Sequence, residues 1–214
     1  MARVKSARRY DSMLRRQQAV QTRARILDAA ERLFANRSFG ATTMEAIASE
    51  AGVATDTVYA GFRSKPGVLH ALIDVRIGGD EAPVALIDRP GPQAVQVERS
   101  QKRQIAGIAA GVAEVLERAR PVDDIMRGAA AVDPEVAALR ARIQAARHDN
   151  MRRFASWVAA SGPLRGGMDL DEAAAVLWTL TSPEVHRLLI TERGWSSARY
   201  RTWLAGTLTR VLLP

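Results

Sequence analysis

Apolar residues recur at helical spacing along almost the whole chain. In the first long segment Ile26, Ala30, Leu33 and Phe34 repeat every three or four residues, which places them on one face of a helix. Later segments carry similar stripes. No segment alternates apolar and polar residues as a strand would, and no repeat of solenoid length is present. The pattern therefore predicts an all-α fold.

Breaks in this pattern divide the N-terminal part into short helices. The stretch "SFGATTM" interrupts the first helix at Gly40, and Thr42 followed by Glu45 has the spacing of a capping box for a second helix. That second helix is expected to be short, because Gly52 interrupts it. Two more helices are predicted, at about 55–61 and from Lys65-Pro66 onward.

The C-terminal part is predicted to be helical as well. Residues 78–93 are rich in Gly, Pro and acidic residues and predict an irregular connection. Asp133-Pro134-Glu135 is a helix-start signal with Pro at the first helical position. The predicted helices lie at about 97–119, within "PVDDIMRGAAAV", at 134–160, at 170–191 and from Tyr200 to Leu212.

Charge changes the picture from fold to function. The chain of 214 residues has a net charge of +8 and 47% hydrophobic residues, so it is expected to fold and to attract polyanions. The basic excess is concentrated before Leu27, at Arg3, Lys5, Arg8, Arg9, Arg15, Arg16, Arg23 and Arg25. This distribution is typical of a nucleic-acid contact surface. The basic arm is expected either to lie in a minor groove or only to attract DNA, and both alternatives stay open.

Several classes of protein are excluded or disfavoured. The chain has no cysteine, so neither a disulfide framework nor a thiolate metal site is available. No signal peptide or membrane span is recognisable, and the segment before Arg23 lacks the apolar face of an interfacial helix, so no membrane contact and a cytoplasmic location are expected. The three histidines lie far apart and outside any catalytic motif, so we expect no enzyme, no metal and no cofactor.

One constellation points to DNA binding. Two helices that cross steeply need a small residue at the contact, a turn residue able to adopt positive φ, and an apolar residue that anchors the second helix. Ala48, Gly52 and Val58 supply these three features in order. Together with the basic flank, they favour a helix-turn-helix over a generic helical hairpin.

These residues resemble the TetR/AcrR transcriptional regulators. The resemblance covers about 50 residues and rests on Ile26-Leu27-Asp28-Ala29-Ala30, Leu33-Phe34, Gly40, Thr42-Thr43-Met44, Ile47-Ala48, Ala51-Gly52-Val53, Thr57-Val58-Tyr59, Phe62, Lys65 and Leu69. It implies a homodimer whose N-terminal domain binds double-stranded operator DNA and whose C-terminal helices bind a small-molecule effector. The expected organisation is a basic arm at 1–20, a three-helix DNA-binding domain at 21–76, a connecting loop at 77–97 and a helical ligand-binding and dimerisation domain at 98–214.

The second helix of the motif is expected to enter the major groove. Its exposed candidates are Thr55, Asp56, Thr57 and Tyr59, since Val53, Val58 and Phe62 should face the core. Thr57, Tyr59 and Lys65 match family positions that contact the DNA backbone, and Thr43 is a further candidate. Asp56 has two open roles: it stabilises the start of the helix, or it accepts a hydrogen bond from a cytosine.

The C-terminal helices carry two further sets of candidates. Met and aromatic residues suit a largely apolar effector, and the resemblance places a chamber near Met126, His148, Met151, Trp157 and Trp178. Two apolar stripes predict a four-helix dimer interface. Its candidates are Leu177, Leu180, Leu188, Leu189, Trp203, Leu204, Leu208 and Val211.

Two rival functions remain open from the sequence. A sequence-tolerant DNA-compacting protein would also carry the net charge of +8. A helical ligand-binding enzyme with an incidental hairpin would not bind DNA at all. Within the regulator hypothesis, a repressor is expected, with an activator as the alternative.

Overall fold

The computed structural model describes the backbone of residues 2–214 and the side chains of residues 17–214. No strand occurs in this part of the chain, which confirms the all-α fold. The helices are α1 (Ala2–Ala41), α2 (Met44–Ala51), α3 (Thr55–Phe62), α4 (Lys65–Gly78), α5 (Pro90–Val97), α6 (Gln101–Ala130), α7 (Pro134–Ala160), α8 (Leu170–Leu180), α9 (Pro183–Arg187) and α10 (Ser197–Leu212). Short 3₁₀ turns lie at Leu86–Asp88 and Arg165–Gly167, and a π-helical turn, Leu188–Glu192, follows α9.

The chain divides into two compact units. The first comprises Met1–Leu72 and Ile125–Val136, and the second comprises Ile73–Asp124 and Ala137–Pro214. The predicted boundary near residue 76 is therefore slightly displaced, and α6 and the start of α7 contribute a segment to the first unit. The predicted connecting loop at 77–97 was wrong over its last part, because Pro90–Val97 forms α5 with Pro at its first turn.

The first unit is organised around the turn between α2 and α3. Gly52 ends α2 with φ 64° and ψ 44°, and its N–H donates to the carbonyls of Ala48 and Ser49. The N–H of Val53 also donates to the carbonyl of Ala48, at 3.0 Å. Glycine adopts this left-handed conformation with the least strain, which explains Gly52 at this turn. Ala48 and Val58 are fully buried, as the spacing predicts.

The start of α2 differs from its prediction by one residue. The cap is Thr43, whose hydroxyl accepts a 3.2 Å hydrogen bond from the N–H of Ala46. Thr42 is buried, and its hydroxyl donates to the carbonyl of Ser38 at 2.8 Å. The predicted capping box at Thr42 and Glu45 was therefore wrong, since the hydroxyl of Thr42 is engaged with the end of α1.

The break at the end of α1 also lies earlier than predicted. Ser38, and not Gly40, leaves the helical conformation, with φ 69° and ψ 160°. Phe39 is buried after this break, and its ring lies 5.3 Å from that of Phe34. We infer that insertion of the Phe39 side chain into the core fixes the position of the break.

The second unit has its own apolar core. It is formed by α6, α7, α8 and α10, and α10 packs against α8. Fully buried members are Ile105, Ala109, Val158, Ala173, Ala174, Leu177, Tyr200, Leu204 and Leu208. Asp133 accepts hydrogen bonds from the N–H groups of Glu135 and Val136, so the predicted start of α7 at Pro134 is confirmed.

Two helix boundaries in this region were predicted wrongly. We expected a separate helix near Pro121, but α6 runs through this proline to Ala130 because Val122 and Met126 are buried in register with the preceding turns. We also expected one helix over 170–191. It breaks at Thr181, because Ser182 accepts the N–H of Val185 and so caps a new helix that begins with Pro183.

Candidate nucleic-acid interface

Helix α3, the predicted recognition helix, exposes one polar face. Val58 and Phe62 are buried, whereas Asp56, Thr57 and Tyr59 are exposed and Thr55 is half-buried. The exposed fraction of Tyr59 is 44%, which is large for an aromatic residue next to a core. The sequence therefore identified correctly which side of α3 faces outward, and this face can reach base edges or phosphates.

Asp56 lies in the first turn of α3 and is exposed. The cap residue of this helix is Ala54, and no side-chain hydrogen bond caps it. The structure therefore does not show the predicted capping of free amides by Asp56, and the favourable interaction that remains is with the positive end of the helix dipole. Its carboxylate oxygens stay available as hydrogen-bond acceptors.

A second exposed carboxylate is Glu45, in the first turn of α2. The pKa of Glu45 is lowered by a hydrogen bond from its own backbone N–H, and further by the hydroxyl of Thr43 and the phenol of Tyr59. Glu45 therefore lies close to Thr43 and Tyr59, two of the predicted DNA contacts. A carboxylate there restricts which phosphate or base edge can approach, because like charges repel.

Lys65 is placed differently from the sequence prediction. Its Nζ donates to the carbonyl oxygens of Phe39 at 2.8 Å, Thr42 at 2.9 Å and Gly40 at 3.5 Å. The ammonium also lies 4.4 Å from the centre of the Phe39 ring. These contacts engage the ammonium with the turn between α1 and α2, so the geometry favours a structural role over the predicted phosphate contact.

The remaining contacts of the motif fix α1 against α2 and α3. Nε and Nη2 of Arg32 both donate to Oε1 of Glu50 on α2, at 3.2 and 3.1 Å. The guanidinium of Arg23 stacks on the ring of Phe62, 4.5 Å from its centre. The predicted basic arm, residues 1–20, has most of its side chains outside the described part of the chain.

The motif can be compared with known proteins. Residues 26–72 match the family described as bacterial regulatory proteins, tetR family. A stretch of 64 residues is 42% identical to the HTH-type transcriptional regulator TtgR of Pseudomonas putida. The family model therefore matches the segment that contains α2, the turn at Gly52 and α3. The match to TtgR covers 29% of this chain and 30% of TtgR, less than a third of that relative's length.

Solved structures of similar fold cover most of the chain. SmeT in complex with triclosan has a TM-score of 0.69 at 24% identity, covering 90% of this chain and 92% of SmeT. NalD, the secondary repressor of the MexAB-OprM multidrug efflux pump in Pseudomonas aeruginosa, has a TM-score of 0.68 at 20% identity, covering 92% and 98% of the two chains. At these identities the likeness establishes the fold. The family matched by residues 26–72 is one of regulatory proteins, as the sequence resemblance predicts.

The predicted effector residues do not all fall in one unit. Met126 is buried in the segment Ile125–Val136, which belongs to the first unit. The other four lie in the second unit, where Met151 is buried and His148, Trp157 and Trp178 are half-buried. The rings of His148 and Trp178 meet edge to face at 6.3 Å. Their role in binding an effector stays a prediction.

The predicted dimer stripe is only partly accessible. Three of its leucines have no exposed surface within a single chain: Leu177, Leu204 and Leu208. A partner chain cannot contact these side chains, so their assignment to the interface was wrong. They face inward because they form the core of the second unit. Leu188 is 45% exposed, and Leu180, Leu189, Trp203 and Val211 are half-buried. These five remain candidates.

Two further features are absent from the described residues. No group of His, Asp or Glu side chains there could hold a metal ion. No helix in the same part of the chain combines the length and the apolar character that a bilayer span requires.

Proposed function

We propose that this chain is a dimeric, sequence-specific transcriptional repressor that binds a palindromic operator through α3 and leaves it when a small molecule binds the second unit. The main support for the proposal is the exposed polar face of α3, with Asp56, Thr57 and Tyr59. The turn at Gly52 positions this helix after α2, and it lies in the segment that matches the TetR family. An α-helix so presented fits the major groove.

Specificity would come from α3 and affinity from the basic charge. Thr55, Thr57 and Tyr59 offer hydroxyl groups that bind phosphates or base edges, and Thr43 offers a further hydroxyl at the start of α2. Asp56 accepts from the N4 amino group of cytosine and is repelled by phosphates, so it would exclude other bases at some loss of affinity. The arm before Arg23 adds a sequence-independent attraction.

Dimerisation sets the distance between the two recognition helices. We propose that Leu180, Leu188, Leu189, Trp203 and Val211 contribute to the interface, because they are the part of the predicted stripe that stays accessible. Two recognition helices about 34–36 Å apart would read successive major grooves on one side of the duplex. A palindromic operator follows from the two-fold symmetry.

Effector release requires only a difference in affinity. A compound that binds more tightly to a dimer whose recognition helices are wrongly spaced lowers operator affinity by that difference, and a compound with no preference changes nothing. The fold shared with SmeT, which was solved with triclosan, and with NalD, named as a repressor, supports this mechanism. Met151 belongs to the apolar core of the second unit, Trp157 and Trp178 pack against it, and such apolar and aromatic side chains suit a largely apolar compound.

The proposal is tested by selecting bound sequences from random duplex DNA with the full-length protein. We expect enrichment of one palindrome with half-sites about one helical turn apart. A variant with Thr57→Ala and Tyr59→Phe should lose this enrichment, whereas Thr202→Ala, an exposed threonine on α10, should keep it. No enrichment by the wild-type protein would contradict the proposal and would favour sequence-tolerant binding.

A further inference from the structure

The guanidinium of Arg147, on α7, lies half-buried among uncharged hydrogen-bond acceptors. Its Nε donates to Oε1 of Gln144 at 3.1 Å, and its Nη1 donates to the carbonyl oxygen of Trp178 at 2.9 Å and to Oγ1 of Thr181 at 3.3 Å. Nη2 takes part in none of these bonds. Cζ lies 4.8 Å from the centre of the Trp178 ring.

Among the residues that the structure describes, no direct ion pair compensates this charge. Glu184 and Asp123 act on Arg147 only through longer-range electrostatics, and Glu184 is already bonded to Arg140 at 2.8 Å. Burial lowers the pKa of Arg147 to about 10, because the charged form is poorly hydrated there. A cation removed from water with only neutral ligands gains much from an anion placed beside it.

Two buried donors near this guanidinium have no hydrogen-bond partner within the described part of the chain. They are Nε1 of Trp178, whose ring stacks on Arg147, and the hydroxyl of Tyr200, which feels the charge of Arg147. Tyr200 has no exposed surface, and its ring meets that of His186 edge to face at 4.9 Å. Because buried polar groups are almost always bonded, these two donors and the under-compensated cation are groups that an added acceptor would satisfy.

The side chains around Arg147 indicate the chemistry of a molecule that would bind there. Met151 approaches the same cluster, with its sulfur 3.5 Å from Oγ1 of Thr181, and the ring of His148 lies 6.3 Å from that of Trp178. Phe154 and Trp157 continue this side of α7, with ring centres 5.3 Å apart. A ligand with an apolar body and a single anionic group would match these side chains.

We propose that Arg147, Trp178 and Tyr200 bind the carboxylate group of an otherwise apolar effector. Nη2 of Arg147, Nε1 of Trp178 and the hydroxyl of Tyr200 supply three donors, and a carboxylate accepts this number on its two oxygens. This inference rests on the proposed function, because it names the chemical class of the effector that would release the operator.

The test compares carboxylates with uncharged molecules of the same shape. Hexanoate, decanoate and 2-naphthoate are each titrated into the full-length protein by calorimetry, next to their primary amides. The wild-type protein should bind at least one carboxylate about tenfold or more tightly than its amide. Binding of no carboxylate, or equal binding of both members of every pair, would overturn the proposal.

Variants assign the preference to the site. Arg147→Gln should abolish the preference for the carboxylate, and Arg153→Gln, an exposed arginine on the same helix, should retain it. Tyr200→Phe should lower carboxylate affinity about tenfold, because it removes one of the three donors. It should not lower thermal stability, because the hydroxyl has no hydrogen-bond partner in the described part of the chain. A carboxylate preference retained in Arg147→Gln would overturn the assignment. If Arg147→Gln does not fold, an unchanged carboxylate affinity in Tyr200→Phe would overturn it.

The two proposals can fail separately. Selection of an operator together with no carboxylate binding would refute only the inference about the effector. Carboxylate binding dependent on Arg147, with no selected operator, would refute only the proposed function. If both hold, the bound carboxylate should weaken operator binding by wild-type protein and not by Arg147→Gln.

Discussion

The ammonium nitrogen of Lys65 lies 2.8 Å from the carbonyl oxygen of Phe39 and 4.4 Å from the centre of the Phe39 ring. One side chain at the start of α4 thus caps the end of α1, where Ser38 breaks the helix. It also reaches the carbonyl of Thr42, just before α2. Lys65 therefore links the start of α4 to the end of α1 and to the residue before the cap of α2, on either side of α3 in the chain.

Replacement of Lys65 should therefore act on stability first. Lys65→Met removes charge-assisted hydrogen bonds to backbone carbonyls, and we expect unfolding to become easier by about 2 kcal/mol. Denaturant unfolding measures this change. Lys102→Met removes an exposed lysine on α6 and should leave the free energy of unfolding nearly unchanged.

The salt dependence of operator binding separates the two roles of Lys65. We expect the slope of log affinity against log salt to stay nearly the same in Lys65→Met. A slope reduced by about 0.9, with unaltered stability, would show that Lys65 neutralises a phosphate and would contradict the structural role.

Asp56 should contribute to selectivity more than to stability. Without a capping hydrogen bond, Asp56→Ala loses only the interaction with the helix dipole, about 0.3–1 kcal/mol. Sequences selected by the variant should differ at one base pair in each half-site. Asp28→Ala, an exposed acid of α1, provides the same change in charge. Equal tightening by both variants, with unchanged preference, would leave Asp56 no role in base recognition.

Two leucines of the same predicted stripe should behave in opposite ways. Leu177 is fully buried, so Leu177→Ala should lower the free energy of unfolding by about 2–5 kcal/mol. Leu188 is 45% exposed, so Leu188→Glu should leave the folded chain intact and weaken dimerisation. Analytical ultracentrifugation at several concentrations measures the second effect. A fully dimeric Leu188→Glu variant would remove Leu188 from the interface.

His186 should make the fold sensitive to acid. Its pKa is lowered from 6.5 mainly by burial and further by the charge of Arg120, while Glu117 opposes the shift. The unfolded chain therefore binds a proton more readily than the folded one, and stability present above about pH 6.5 is lost as the pH falls through the folded pKa. Urea unfolding at pH 7.5 and 5.0 should show a larger loss in wild type than in His186→Phe. Equal losses would contradict this assignment.

Local signals were enough to predict the helix-turn-helix. Gly52 is recognisable because its turn needs positive φ, and Asp133-Pro134 because a helix start needs an acceptor and tolerates a missing N–H. The same logic, applied to Ser182-Pro183, would have found the break between α8 and α9. It was overlooked because the apolar stripe continues past it.

Long-range contacts were not predictable in the same way. The engagement of Lys65 with Phe39 spans 26 residues, and the burial of Leu177 depends on packing against α10. Helical periodicity shows that Leu177 and Leu188 are apolar on one stripe, but not whether the chain's own core or a partner covers them. The orphaned donors of Trp178 and Tyr200 are visible only once the surrounding helices are assembled.

Sequence-specific DNA binding is tested most directly by comparing two affinities at a salt concentration of about 0.15 M. One is the affinity for the operator selected from random DNA, and the other is the affinity for a scrambled duplex of equal length. We expect the affinity for the operator to exceed that for the scrambled duplex by a ratio of roughly 10³ or more, the range of specific DNA-binding proteins. A ratio near one would contradict it, since the net charge of +8 alone would then explain binding.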